Sequence, residues 1–223
     1  MLKMKSLTAF IIPLCAVMMA LFLGAVMLLS LQANPLEGYA TMFGAAFGSL
    51  EGFSETTVKS IPLLLVGVGI CIAFRASVIN IGGEGQMVMG ALFSTSLAMA
   101  FPSLPSLIII PIVLMAGAVG GAFWGAIAGY LKAYFNVSEI LSTIMLNIVA
   151  VQIMNFLLRG PMIDPGEIER GTRIPQTMRL PENADLPILI EGMRMHLGIV
   201  IALFMAVFAY FLLWRTTMGF RLR

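Results

Sequence analysis

Glu139, Thr143 and Asn147 recur at i, i+4 and i+8, with Ser142 beside them. At about 100° per residue these four side chains share a helical arc of roughly 140°. Polar groups on an otherwise apolar helix face either a bundle interior or a water-filled path. Two readings therefore stand, hydrogen bonding between helices and contact with a passing solute. A second polar group lies upstream, in Asn80-Ile-Gly-Gly-Glu-Gly-Gln86. Gly82, Gly83 and Gly85 relax the backbone enough for a helix to break and restart. A restarted helix presents free N–H groups to an acceptor or an anion. Glu84 and Gln86 can cap that end or point into a cavity, with Asn80 at the start of the break. The alternative is a tight turn in which Arg75 pairs with Glu84.

This is chemistry of recognition rather than of bond making. The sequence holds no GxxxxGK[ST] phosphate loop and no Ser/His/Asp or Cys/His arrangement. His196 is the sole histidine, too few ligands for a metal site. Cys15 and Cys71 sit in apolar runs as small core-filling residues, not as a disulfide framework. No catalytic residue, metal or cofactor is expected in the chain.

The elements that must hold these groups follow from composition. Of 223 residues, 60% are apolar before the 22 glycines are counted, and only 11% are charged. A soluble domain carries about 25% charged residues to cover its surface. A soluble enzyme, a nucleic-acid-binding domain and a disordered chain are excluded, and the net charge of +2 points to no anionic partner. What remains is an all-α polytopic membrane protein with a single transmembrane domain over residues 1–223.

The hydropathy pattern predicts about six transmembrane helices. The first is the uncharged run Leu7–Leu31 after Lys3 and Lys5, too long for a cleaved signal's apolar core. Residues 39–50 are too short to cross about 30 Å of hydrocarbon and read as a surface or re-entrant segment. Ile61–Phe101 has room for two crossings and almost no loop, so the polar residues 75–86 form a broken or re-entrant region at membrane depth. Such backbone is tolerated only when buried in protein or lining a wet cavity. Further spans are predicted at about 107–131, 140–158 and 197–214. Gly117, Gly121, Gly125 and Gly129 mark one nearly smooth stripe for tight helix packing.

Eleven of the 24 charged residues fall between Arg159 and Arg194, so residues 159–196 form a water-exposed loop. With the N-terminus cytoplasmic, the inner side carries seven basic residues against two acids, and the outer side six against nine. That bias supports the orientation and makes the loop extracytoplasmic. The sequon at Asn136 then lies inside.

The run from Ile72 to Ala91, with its core Asn80-Ile-Gly-Gly-Glu-Gly-Gln86, resembles a segment of permease subunits of bacterial ABC importers for simple sugars and nucleosides. Ser138-Glu-Ile-Leu-Ser-Thr-Ile-Met-Leu-Asn147 is similar to that family's next marker. Arg215-Thr-Thr-Met-Gly-Phe-Arg-Leu-Arg223 resembles the start of its cytoplasmic coupling segment. Order and spacing match over about residues 62–223, and the first 60 residues match loosely. The resemblance implies a multi-pass permease in the bacterial cytoplasmic membrane. It implies as partners separate ATPase subunits that carry the ATP, a second permease, identical or a sister chain, and an extracytoplasmic solute-binding protein, for which the 159–196 loop is either a docking surface or simply a solvated loop. No nucleic acid is expected. Family members continue beyond the equivalent of Arg223, so the resemblance also implies a C-terminally incomplete chain. A nucleoside is the first expectation for the solute and a simple sugar the second. The competing reading is a secondary transporter or channel subunit that needs no ATP, since broken helices also occur in such carriers. On the solute-path reading, Asn147→Ala and Glu84→Ala each impair uptake without abolishing insertion.

Overall fold

The computed structural model describes residues 2–172 and 174–221, with side chains from residue 11 onward. Lys3, Lys5 and the terminal Leu222-Arg223 pair of the coupling-like segment lie outside the described side chains. Helices are the regular structure of the described residues, which hold no strand. The longer helices are α1 (Leu2–Ser30), α2 (Pro35–Phe47), α3 (Leu50–Arg75), α4 (Gly83–Ala100), α5 (Ser106–Phe135), α6 (Glu139–Arg159), and, beyond the five-residue α7 (Pro165–Glu169), α8 (Gly198–Arg215). A final short helix, α9, covers Thr217–Arg221.

Five of these helices are long and apolar enough to cross a membrane: α1, α3, α5, α6 and α8. The segment expected as the third crossing forms the helix α4, which is not among the five, because its first turn, Gly-Glu-Gly-Gln, dilutes 18 residues of otherwise apolar helix. Their outward faces carry large exposed apolar side chains, such as Phe22, Leu107 and Phe204, as a chain solvated by lipid requires.

The chain divides into two compact units, residues 1–57 and 58–223. In the first, α2 starts at Pro35, whose missing N–H costs nothing at that position. Asn34 caps it by accepting the Leu36 N–H at 3.0 Å. At about 1.5 Å per residue its 13 residues reach only about 20 Å, in keeping with a segment too short to span. The Tyr39 hydroxyl donates to the Leu21 carbonyl of α1, passing beside Gly24. α3 begins eleven residues before the expected Ile61. Glu51, Glu55 and Lys59, which follow the short 39–50 segment, all lie on this helix, and Glu55 and Lys59 are spaced i, i+4.

In the second unit, α4, α5 and α6 pack around Met89, Leu92, Trp124 and Ala150. Lipid tails are as apolar as leucine, so close backbone contact and hydrogen bonds decide helix association here, at about 0.6 kcal/mol per interhelical bond. α4 crosses α5 at paired glycines. A Cβ added to Gly90 would lie 2.9 Å from the Gly117 carbonyl oxygen, and one on Gly121 would lie 3.1 Å from the Gln86 carbonyl oxygen. The Ser94 hydroxyl completes the seam, donating to the Val113 carbonyl at 2.9 Å.

Cross-links within this unit show which turns share an end. The Asn183 amide donates to the Pro102 carbonyl at 2.9 Å and to the Leu104 carbonyl, tying the charged loop to the α4–α5 turn. At the opposite ends of these helices, Lys132 pairs with Glu139 at 3.3 Å, and Glu139 also accepts the Ile79 N–H at 2.9 Å. The Arg75 guanidinium lies 4.7 Å from the Trp214 ring centroid. Arg75 therefore stacks on Trp214, a cation–π contact, and the turn reading in which it pairs with Glu84 is not the arrangement observed.

The charged loop is built around one buried carboxylate. Glu167 is 4% exposed, and it accepts from the Thr172 hydroxyl, from Gln176 Nε2 at 3.0 Å and from the Arg170 guanidinium at 3.3 Å. Losing these bonds costs about 1–3 kcal/mol. Limited trypsin digestion of the Glu167→Ala variant at Arg170 and Arg179 should therefore run about tenfold faster than in the parent chain. Equal digestion rates would show that the carboxylate does not hold the loop.

Candidate functional site

The sequence breaks α3 at Arg75 and restarts a helix at Gly83, and each end is closed by its own chemistry. Ser77 stands in the left-handed region at φ +56°. Its N–H bonds the Phe74 carbonyl at 3.1 Å and the Val78 N–H bonds the Ala73 carbonyl at 3.0 Å, the paired bonds of a Schellman stop. At the restart, Asn80 Oδ1 accepts the Gly82 N–H at 2.8 Å. The next donors come under control of α6: Asn147 Oδ1 accepts the Gly85 N–H at 2.8 Å, and its Nδ2 donates to the Ile81 carbonyl at 3.0 Å. Glu139, two turns earlier on the same face, holds Ile79.

One polar face of α6 thus grips the connection by its backbone at three points. Glycine is required at the closest of them. A Cβ on Gly85 would lie 2.8 Å from Asn147 Oδ1 and 3.0 Å from Trp124 Nε1. Trp124, unmarked in the sequence, donates to the Leu146 carbonyl at 3.3 Å and seals the contact from α5. Ser142 and Thr143 are buried and turn their hydroxyls back to the Glu139 carbonyl, at 3.2 and 2.7 Å.

Two cavities flank the break. The larger, about 470 Å³, lies between α3, α4 and α5, against Pro62, Val66, Met87 and Ala122, with Asn80 and Gln86 as its polar side chains. The smaller, about 230 Å³, runs toward Lys132, Glu139 and Thr143. Asn80 and Gly125 line both. The structure thus brings Asn80, Gln86, Glu139 and Thr143 to cavity walls. Asn147 is spent on the backbone of the break, Ser142 on its own helix, and Glu84 is exposed and lines neither cavity.

Of the glycine stripe, Gly117, Gly121 and Gly125 face α4 side chains or backbone, whereas a Cβ on Gly129 would meet nothing within 4 Å. Gly90, the partner on α4, and Gly120, pressed against Phe93, carry no sequence period of their own. Among the described residues no group of three or more His, Cys, Asp or Glu could hold a metal ion.

Residues 52–223 match the family model described as branched-chain amino acid transport system / permease component. The chain belongs to this permease family. Curated relatives extend the likeness over nearly its whole length. The glucose ABC transporter permease protein of Haloferax volcanii is 34% identical, with 93% of this chain and 56% of the relative covered. The guanosine ABC transporter permease protein NupP of Bacillus subtilis is 33% identical over 98% of this chain and 62% of the relative. The nucleoside ABC transporter permease protein NupB of Lactococcus lactis is 32% identical, covering 96% and 59%. The permease chain therefore spans about three fifths of the length of the curated relatives it matches. No solved structure matches it. Family and apolar helices together make it a multi-pass membrane protein.

Proposed function

We propose that this permease is the transmembrane subunit of an ATP-driven importer that carries a small polar solute across the bacterial cytoplasmic membrane. The observation that carries the reading is the uncharged cavity of about 470 Å³ at the α3–α4 break. Its volume falls within the ~300–1,000 Å³ range of small-molecule sites, and Asn80 and Gln86 supply the few placed polar groups such a site needs. A nucleoside is the first choice of solute and a simple sugar the second, and the relatives named for guanosine, nucleosides and glucose support both.

In this reading the two units form one transmembrane domain. ATP is bound and hydrolysed on separate ABC ATPase subunits, so the chain carries no cofactor and does no chemistry itself. A second permease, identical or a sister chain, completes the path, and a solute-binding protein docks on the extracytoplasmic 159–196 loop. The N-terminus is cytoplasmic. Support for this orientation comes from the seven basic residues of the inner set, four of which (Arg75, Lys132, Arg215 and Arg221) lie in the second unit at the α3–α4, α5–α6 and α8 ends. For the cycle to run, ATP binding and hydrolysis must favour different permease states. The Arg75–Trp214 contact gives motion at the α8–α9 corner a direct route to the break.

Glu139 and Thr143 line the smaller cavity and Ser142 and Asn147 shape the path from behind, while Glu84 is exposed on the helix turn that carries Gln86. Glu84→Ala should lower uptake while shifting stability by no more than about 0.5 kcal/mol, the usual bound for an exposed side chain. Wild-type uptake in that variant would remove Glu84 from the path. The decisive functional experiment inactivates the partner ATPase in the assembled transporter. Uptake should fall to background, and persistent uptake would establish the secondary-transporter or channel reading instead.

A further inference from the structure

The Asn80–Gln86 pair offers the larger cavity an amide donor group beside an amide acceptor, and the backbone fixes which is which. Asn80 Oδ1 accepts the Gly82 N–H at 2.8 Å. A backbone N–H can only donate, so the other amide atom, Nδ2, is the donor left over. Gln86 Nε2 approaches that same Oδ1 at 3.4 Å, which leaves Gln86 Oε1 as the open acceptor. Both side chains are half-buried and line the cavity.

The rest of the lining narrows the solute. No ionised side chain borders the cavity, so a solute carrying an ammonium and a carboxylate would find no counter-charge there. Leu65, Ile70 and Met87 present apolar surface. A polyol bears hydroxyls around its whole ring, and those turned toward the apolar wall, away from the two amides, would stay unpaired. A flat heterocycle with apolar faces and a single edge carrying adjacent N–H and C=O groups matches both kinds of surface.

We infer that Asn80 and Gln86 read the hydrogen-bonding edge of a nucleobase. The base N–H donates to Gln86 Oε1, and the base carbonyl accepts from Asn80 Nδ2. This rests on the solute-path reading above and adds to its first-choice solute the atoms that select it.

The test measures uptake of three probes by the assembled transporter: inosine, 1-methylinosine, whose base N–H is replaced by a methyl group, and ribose. Gln86→Leu keeps the size of the side chain and removes the acceptor. It should lower the inosine specificity constant about tenfold and that of 1-methylinosine about twofold or less, a cycle that isolates the one contact. Comparing variant with parent for each probe cancels selection by any protein that delivers the solute. Gln86→Glu, which keeps an acceptor, should retain the parent's preference, and it serves if the leucine variant does not reach the membrane. Equal losses for the two nucleosides in Gln86→Leu, or a lost preference in Gln86→Glu, would overturn edge reading while leaving the solute path intact. Uptake of ribose but neither nucleoside by the parent would overturn the nucleobase inference and make a sugar the solute. Uptake of none of the three would count against the solute-path reading itself.

Discussion

In the Asn147→Ala variant, purified permease should unfold about 4–8 °C below the parent chain, and uptake should fall about tenfold while membrane insertion is kept. The side chain removed bonds the Gly85 N–H and the Ile81 carbonyl, so two backbone groups lose partners at once. Interhelical hydrogen bonds in membranes average about 0.6 kcal/mol and reach about 1.7. Gly85 is buried and Ile81 is exposed, so most of the cost falls on the Gly85 N–H, and the two losses together come to about 2 kcal/mol. For a chain of this size each kcal/mol corresponds to about 2–4 °C. The uptake loss has a different origin. Asn147 sets the position of the restart that carries Asn80 and Gln86, and displacements of about 1 Å are enough for large losses at a polar site. Thermal unfolding in detergent and initial uptake rates read the two effects separately. An unchanged midpoint would mean that the grip on the break contributes nothing to the fold.

Gly90→Val and Gly129→Ala should shift stability in opposite directions. At Gly90 the added carbons meet the Gly117 carbonyl, and backbone cannot move aside as a flexible side chain can. Overpacking of this kind costs about 1–3 kcal/mol or more, and α4 would have to lift from α5, taking Gln86 away from Gly125. Loss of folded protein from the membrane is the expected readout. At Gly129 the added methyl meets open space. Replacing a mid-helix glycine by alanine there should stabilise by about 0.5–1 kcal/mol, read as a higher unfolding midpoint. Equal destabilisation by both substitutions would show that the period of four, rather than the observed crossing, sets the packing.

That contrast shows what was legible in the sequence. A stripe of glycines announces a smooth face, but not where the partner helix ends, and α4, which starts at Gly83, already meets Gly125 with its first turn and does not reach Gly129. The partner glycine, Gly90, is a single residue with no period to reveal it. Apolar runs located the helices well, because lipid imposes length and hydropathy on every crossing. The start of α3 lies eleven residues before the apolar run that marks it, because the helix carries Glu51, Glu55 and Lys59 ahead of Ile61. The break at residues 76–82 was legible from Gly82, Gly83 and Gly85. Its fastening was not, since Asn147 and Gly85 are 62 residues apart and nothing local signals their bond. The α6 face was legible as polar. That its side chains divide between gripping backbone and lining cavities depended on partners from α3, α4 and α5.

If the solute passes through the cavity at the helix break, bound solute shields a thiol placed in its wall. Ala122 lines that cavity, whereas Ile148 on α6 is exposed and lines neither of the two cavities at the break. With Cys15 and Cys71, both exposed, replaced by serine, Ala122→Cys provides a single thiol there for a water-soluble maleimide in the assembled transporter. Saturating solute should slow labelling of that thiol and leave an Ile148→Cys thiol unaffected. Labelling of Ala122→Cys at the same rate with and without a solute that is being transported would contradict the account.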